Sequence, residues 1–376
     1  MTNDAARLAT DATVHSRVAL LSAGIPLVRL FGPEHGLSGV AADGAAVADG
    51  VDPLTGLPTV SLYGDRMRPT RADVGDLDLI LFDVPDVGAR FYTYIWTLYH
   101  LLSASAEYRT PVCVLDRPNP LGGDLSLAEG PLLDPSHRSF IGEDRIPIRH
   151  QLTIGELATL WRAERFPSAA LRVISVHRWT RELTWPSLSL PWVPTSPSMP
   201  SYASAEWYPG SCLFEATSVS VGRGTDAPFQ QFGAPWMDAA AVCADLAQRA
   251  SIAVTPCTFT PTLDPFAGEP CAGVRFPEGR ADDRSVAIGL LALAAVMHRH
   301  PAEFRWKEYP TAANPTGAGH FERLVGQSGI RARLDLSPAT VDLAEVKRWT
   351  DPGDWRQRVT QAGALLYPSR VDGAVA

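Results

Sequence analysis

The chain has 376 residues, 45% of them hydrophobic and 20% charged, with 41 acidic against 33 basic side chains and a formal net charge of −8. That length exceeds what one hydrophobic core usually spans, and the composition excludes a disordered or fibrous chain, so two folded domains are expected. Neutralising phosphates takes a basic face, and no Lys/Arg run is present, which argues against nucleic acid and membrane as partners.

The opening MTNDAARLATDATVHSRVALL lacks a basic start followed by a long apolar segment, and no window holds the roughly 18 uninterrupted apolar residues of a membrane helix. A cytoplasmic location is therefore the expectation. Short apolar runs follow at residues 7–10, 27–31, 77–82, 112–115 and 171–176, alternating with helical patterns, notably 94–106 and 154–164. Brief continuous runs separated by such patterns predict buried parallel strands with crossover helices, an α/β layered domain. In such a sheet a ligand sits outside the carboxyl ends of the strands. Asp11, then Glu34 and His35, then Asp83 and Asp86, then Asp116 and Arg117 each follow a run, so one shared rim is expected. The alternative for any one of them is that it caps the next helix or turn.

Within LFGPEHGLSG, Pro33 and Gly36 build a rigid turn that would hold Glu34 partly desolvated and suited to general-acid work, with His35 orienting it or touching substrate. In LILFDVPDVGARFYTYIW, Asp83, Asp86, Arg90, Tyr92 and Tyr94 crowd together. Asp and Arg can clamp hydroxyls or a carboxylate, and tyrosine faces stack on sugar rings. LDRPNPLGG adds Asp116, Arg117 and Asn119, while Glu129 and Glu215 are two more carboxylates able to reach the same crevice.

Residues 183–235 are rich in Pro, Ser, Trp and Gly, which reads as ordered binding loops rather than a linker. The glycine-rich SVGRGTDAPF has neither the P-loop pattern nor a GxGxxG after the first strand, so its backbone amides, Arg223 and Thr225 are expected to hold an anionic or polar substrate group. A domain boundary is placed near residue 236. Beyond it, residues 237–250, 286–298 and 341–364 read as helices, the last broken near Pro352 and Gly353, and 274–276 as a strand. This half carries no dense polar motif and reads as scaffold or lid. Five widely spaced cysteines, Cys113, Cys212, Cys243, Cys257 and Cys271, read as buried small hydrophobes.

FGPEHG, DVGARFYTYIW, LDRPNP, AEGP, LTIGELA, YPGSCLFEATSVSVGRGTDAPFQQFGAPW and the closing AGALLYPS, in that order over nearly the whole chain, resemble the exo-acting β-N-acetylmuramidases of the NamZ type. The resemblance implies a Rossmann-like parallel-sheet catalytic domain over residues 1–235 and a smaller α+β auxiliary domain over 236–376. It further implies release of N-acetylmuramic acid from the non-reducing end of peptidoglycan fragments, with a muropeptide or MurNAc–GlcNAc fragment as substrate and no cofactor. It makes Glu34 the general acid, and it matches the family's DVGxRxYTY residues to Asp86, Arg90, Tyr92 and Tyr94 and its loop residues to Glu215 and Arg223. Pro85 stands where the family commonly has glutamine, Ala216 and Ser218 where it has glycine and asparagine, and Ser198 where it has asparagine. The Thr-Asn pair at the end of its first strand is matched to Thr10 and Asp11. Two other classes stay open on the residues themselves: a non-catalytic amino-sugar-binding protein, and a metal-dependent hydrolase with His35, Asp83, Asp86 and Asp116 as ligands.

Overall fold

Short buried apolar runs form the strands of the first layer in the computed structural model, which describes residues 1–277, 279 and 284–369. β1 (Leu30–Gly32) pairs in parallel with β3 (Pro58–Ser61), whose other edge takes β2 (Gly50–Val51) antiparallel. β4 (Ile80–Phe82), β5 (Val112–Leu115) and β6 (Leu171–Ile174) make an all-parallel sheet in that order. Residues 1–3 join the two sheets, for Thr2 N–H donates to the Phe31 carbonyl at 3.1 Å and Asp83 N–H to the Met1 carbonyl at 2.9 Å.

A parallel sheet needs cover, which α1 (Ser16–Ser22), α2 (Arg71–Val74), α3 (Tyr94–Tyr108) and α4 (Ile154–Glu164) supply. A capping box of Thr153 and Glu156 starts α4. Trp96, Tyr99 and Trp161 lock α3 to α4, with ring centroids 5.3 to 6.1 Å apart.

One predicted strand is absent. Arg7 turns back so that its guanidinium donates to the carbonyls of Asp4 and Thr13, and residues 7–10 form only a single bridge, Arg7 to His15. The sheet position belongs instead to Thr2 and Asn3, which corrects the match of the Thr-Asn pair to Thr10 and Asp11. Asp11 lies on an exposed turn and accepts from Thr13.

The second layer contains α5 (Tyr202–Ser211), β7 (Gln231–Ala234), α6 (Ala239–Ala250), β8 (Thr255–Phe259), β9 (Cys271–Arg275) and α7 (Ser285–Arg299), followed by α8 (His320–Val325), α9 (Ile330–Leu336), α10 (Leu343–Trp349) and α11 (Trp355–Gln361). Its strands form an antiparallel sheet ordered β7-β9-β8. Packing of this layer begins with α5, upstream of residue 236. A Cβ on Gly210 would fall 1.8 Å from the Ser285 carbonyl oxygen, so only glycine lets α5 cross α7. The five cysteines are unpaired thiols. Among the described residues no helix is long and apolar enough to cross a membrane.

Glu129 ties the layers together. Buried away from the crevice, it accepts from the Val286 and Ala287 N–H groups at 2.9 and 2.8 Å and so caps the start of α7. Burial pushes its carboxyl from 4.5 up to about 7. The folded state thus holds this proton where the unfolded chain has lost it, and stability falls as pH rises through that window. Glu129→Gln is expected to remove about 3 kcal/mol of that fall. Melting temperature against pH checks this: an unchanged slope would place its source elsewhere. Asp116, pushed to about 6 by burial, adds a fall of the same sign at slightly lower pH.

Candidate active site

After β1 the chain makes a tight turn over residues 33–36, closed by Gly36 N–H donating to the Pro33 carbonyl at 2.9 Å. His35 sits at φ 65°, the left-handed region that such a turn usually gives to glycine. Two contacts hold it there: Nδ1 donates to the Ala41 carbonyl at 2.7 Å, and Nε2 lies 3.5 Å from Asp43 Oδ1. The turn delivers Glu34 into a cavity, 8% exposed, with Oε1 accepting from Gly44 N–H at 2.8 Å and Oε2 from the Thr93 hydroxyl at 2.6 Å. Thr93 is the N-cap residue of α3, yet its side chain makes no cap bond. It gives up about 1 kcal/mol of capping to hold the carboxyl instead. Burial, with the charge of Glu34 beside it, raises the Tyr63 phenol well above its ordinary range.

Arg223 organises the rest of the cavity. Its Nε donates to Glu215 Oε1 at 2.8 Å and its Nη1 to the Ser198 hydroxyl at 2.8 Å, while its Nη1 and Nη2 also reach Asp43 and Glu215. The guanidinium lies 5.0 Å from the centre of the Phe229 ring. Glu215 Oε2 accepts from the Cys212 thiol at 3.3 Å. Burial raises the Glu215 carboxyl, and Arg223 opposes that rise. Burial would lower Arg223, but Glu215 and Asp43 outweigh it and keep the guanidinium charged. Glu34 differs from both these acids: among the described residues no cation stands within ion-pair distance of it.

Six predicted residues, Glu34, His35, Tyr92, Tyr94, Glu215 and Arg223, therefore line one cavity of about 60 Å³, joined by Asp43, Ser196, Ser198, Tyr208, Tyr309, Thr311 and His320. The Tyr92 and Tyr94 hydroxyls donate to the Thr195 hydroxyl and carbonyl at 2.6 and 2.7 Å, fixing one wall. Asp43, Tyr309 and His320 carried no sequence signal beyond lying in or directly after Gly-, Ala- and Pro-rich stretches, the composition that flagged residues 183–235. Their presence makes the second half part of the wall.

The predicted rim divides. Asp83, Asp86, Asp116 and Arg117 line a separate, larger cavity of about 530 Å³ with Pro85, Trp185 and Trp192. It is mostly apolar, and its carboxylates are largely engaged, although Asp86 Oδ1 is buried with no hydrogen-bond partner among the described residues. Arg117 Nε donates to Asp83 at 2.7 Å, Asp86 accepts from Gly88 N–H and stands 3.2 Å from His150 Nε2, and Asp116 accepts from Thr153, Gly155 and Tyr367. The acid–base groups thus favour the smaller cavity despite its size. His35, Asp83, Asp86 and Asp116 do not converge, and among the described residues no three His, Cys, Asp or Glu side chains are grouped to hold a metal ion.

Besides Asp11 and Glu129, three other predicted residues lie outside both cavities. Arg90 is fully buried and donates to the carbonyls of Pro131, Ile146, Leu324 and Val325, so its charge is held by backbone rather than offered to a ligand. Asn119 bridges Leu152 and Leu121, and Thr225 bonds the Gly222 carbonyl within its own loop.

Known proteins share this architecture. The family models described as exo-β-N-acetylmuramidase NamZ match residues 1–203 with the N-terminal domain and residues 206–367 with the C-terminal domain. The chain is 38% identical to the peptidoglycan β-N-acetylmuramidase NamZ of Bacillus subtilis (strain 168) over 314 residues, 83% of this chain and 73% of that protein. Crystal structures of two DUF1343 family proteins of Bacteroides fragilis superpose with TM-scores of 0.83 and 0.75 at 28% and 30% identity, covering 97% and 98% of this chain and 92% and 93% of theirs. With both of its halves matched in order, the chain belongs to the NamZ exo-β-N-acetylmuramidase family, a family of glycosidases.

Proposed function

We propose that this protein hydrolyses the glycosidic bond of a terminal N-acetylmuramic acid at the non-reducing end of peptidoglycan fragments, with Glu34 as general acid. The observation that carries the assignment is the contrast among the three carboxyl groups of the cavity. Asp43 and Glu215 share the Arg223 guanidinium, whereas Glu34 is held among the described residues by the Gly44 amide and the Thr93 hydroxyl, with the Tyr63 phenol beside it and no cation. An acid catalyst must give up its proton in the transition state and regain it, and a guanidinium partner ties a carboxyl to its ionised form.

Asp43 and Glu215 set against one guanidinium, joined by Glu34 as it gives up its proton, favour the positive charge that develops on the sugar ring in an oxocarbenium-like state. Glu215, or the substrate's own acetamido group, supports that charge. Arg223, the one guanidinium lining the cavity among the described residues, meets the lactyl carboxylate, and Ser198 beside it presents a hydroxyl.

The test is incubation of the purified protein with a MurNAc–GlcNAc disaccharide and with the nitrophenyl β-glycosides of N-acetylmuramic acid and N-acetylglucosamine, the released sugars being separated and weighed by mass spectrometry. Cleavage of the disaccharide and the muramide but not of the glucosaminide is expected. Cleavage of the glucosaminide alone, or of nothing by folded protein, would overturn the assignment.

A further inference from the structure

His320 is the first residue of α8 and lines the cavity that holds Glu34, Glu215 and Arg223. It is 4% exposed, and neither ring nitrogen has a hydrogen-bond partner among the described residues. A buried polar atom left unpaired costs roughly 1–3 kcal/mol, so two on one ring call for a compensating role. The ring is also firmly placed. It stacks on Tyr309 with centroids 4.7 Å apart and planes 14° from parallel.

The far end of α8 is anchored from the first layer, where Arg90 donates to the Leu324 and Val325 carbonyls at 2.7 and 2.8 Å. A Cβ on Gly326 would fall 2.5 Å from Arg90 Nη2, so the helix end is shaped to admit the guanidinium. The arginine of DVGARFYTY thereby positions a cavity residue supplied by the second layer.

Burial first, then the charges of Arg323 and Arg223, push the imidazole down to about 4. At neutral pH the ring is uncharged, with one N–H donor and one bare acceptor nitrogen. That pair complements a hydroxyl or an amide. A carboxylate could use only the N–H and would leave the bare nitrogen unpaired, since protonating it is opposed by two guanidinium groups.

We propose that His320 is a substrate-contacting residue of this glycosidase, hydrogen-bonding an uncharged polar group of the terminal amino sugar, its acetamido group or a hydroxyl, rather than its carboxylate. The inference rests on the functional reading above and adds a contact from the second half of the chain.

His320→Phe keeps the size and the stacking and removes both nitrogens, while His320→Gln keeps an uncharged donor and acceptor. KM and kcat for the disaccharide, calorimetric affinity for N-acetylmuramic acid, and melting temperature are measured for both variants and the wild type. His320→Phe is expected to raise KM and Kd about tenfold with an unchanged or higher melting temperature, since no hydrogen bond within the protein is lost. His320→Gln is expected to recover most of that loss. Unchanged KM and Kd in His320→Phe, or affinity losses that follow falling melting temperature in both variants, would make His320 a packing residue and overturn the proposal. A glutamine that restores nothing would overturn the uncharged contact. A wild type that neither binds nor cleaves would overturn the glycosidase reading and this inference with it, whereas an active wild type beside an unaltered His320→Phe overturns this inference alone.

Discussion

Glu34→Gln is expected to lower turnover of the MurNAc–GlcNAc disaccharide by about 10²–10⁴-fold with little change in melting temperature. The amide has the shape of the carboxyl, and its oxygen can still accept from Gly44 N–H. The Thr93 hydroxyl, now facing an NH₂ group, can turn from donor to acceptor. What disappears is the proton. A second signature separates loss of the acid from loss of position. The sugar alcohol of the disaccharide is a poor leaving group that needs protonation, whereas nitrophenolate departs largely unaided. The variant should therefore lose much less activity on the nitrophenyl muramide than on the disaccharide. Equal losses on both substrates would point to misplaced substrate, and no loss on either would remove Glu34 from the acid role.

Arg223→Ala should be the most destabilising change in the cavity, by about 3–5 kcal/mol, because it strips the cation from the Glu215 carboxylate, whose side chain is 7% exposed, and from Asp43. The sign with pH follows from Glu215. Burial already raises this carboxyl, and without Arg223 the main opposition to that rise is gone, leaving the Cys212 thiol bond. The folded variant then binds a proton that the unfolded chain releases, so its deficit grows as pH rises through the carboxylate range and shrinks in acid. Urea melts of wild type and variant at pH 5 and pH 8 measure it. Equal deficits at both would assign the loss to packing on Phe229 instead. Pairing the change with Glu215→Gln should recover part of the stability, since the two side chains form one network.

Wherever local periodicity decided the outcome, the sequence was legible. The apolar runs that became β4, β5 and β6 and the helical spacing of α3, α4, α6 and α7 report which residues turn inward, and α10 and α11 part at Pro352 and Gly353 as the pattern predicts. The turn that presents Glu34 was legible for the same reason, since Pro33 and Gly36 act on their immediate neighbours. Residues 7–10 were not, because a four-residue apolar stretch is compatible with strand or turn until its partners are known.

Arg90 marks where local reading ends. Its type and its place among tyrosines suit a carboxylate clamp, yet its partners are carbonyls 41 to 235 positions away in the chain. Asp43 and His320 reach the cavity from opposite halves by the same kind of long-range closure. By itself the sequence determined the central strands β4 to β6, the long helices α3, α4, α6 and α7, the rigid turn at Glu34 and the family, all of which rest on short-range patterning. Only the tertiary structure decided which charged groups face substrate, because a side chain's partner is set by packing between distant segments, and one-dimensional spacing carries no record of that distance.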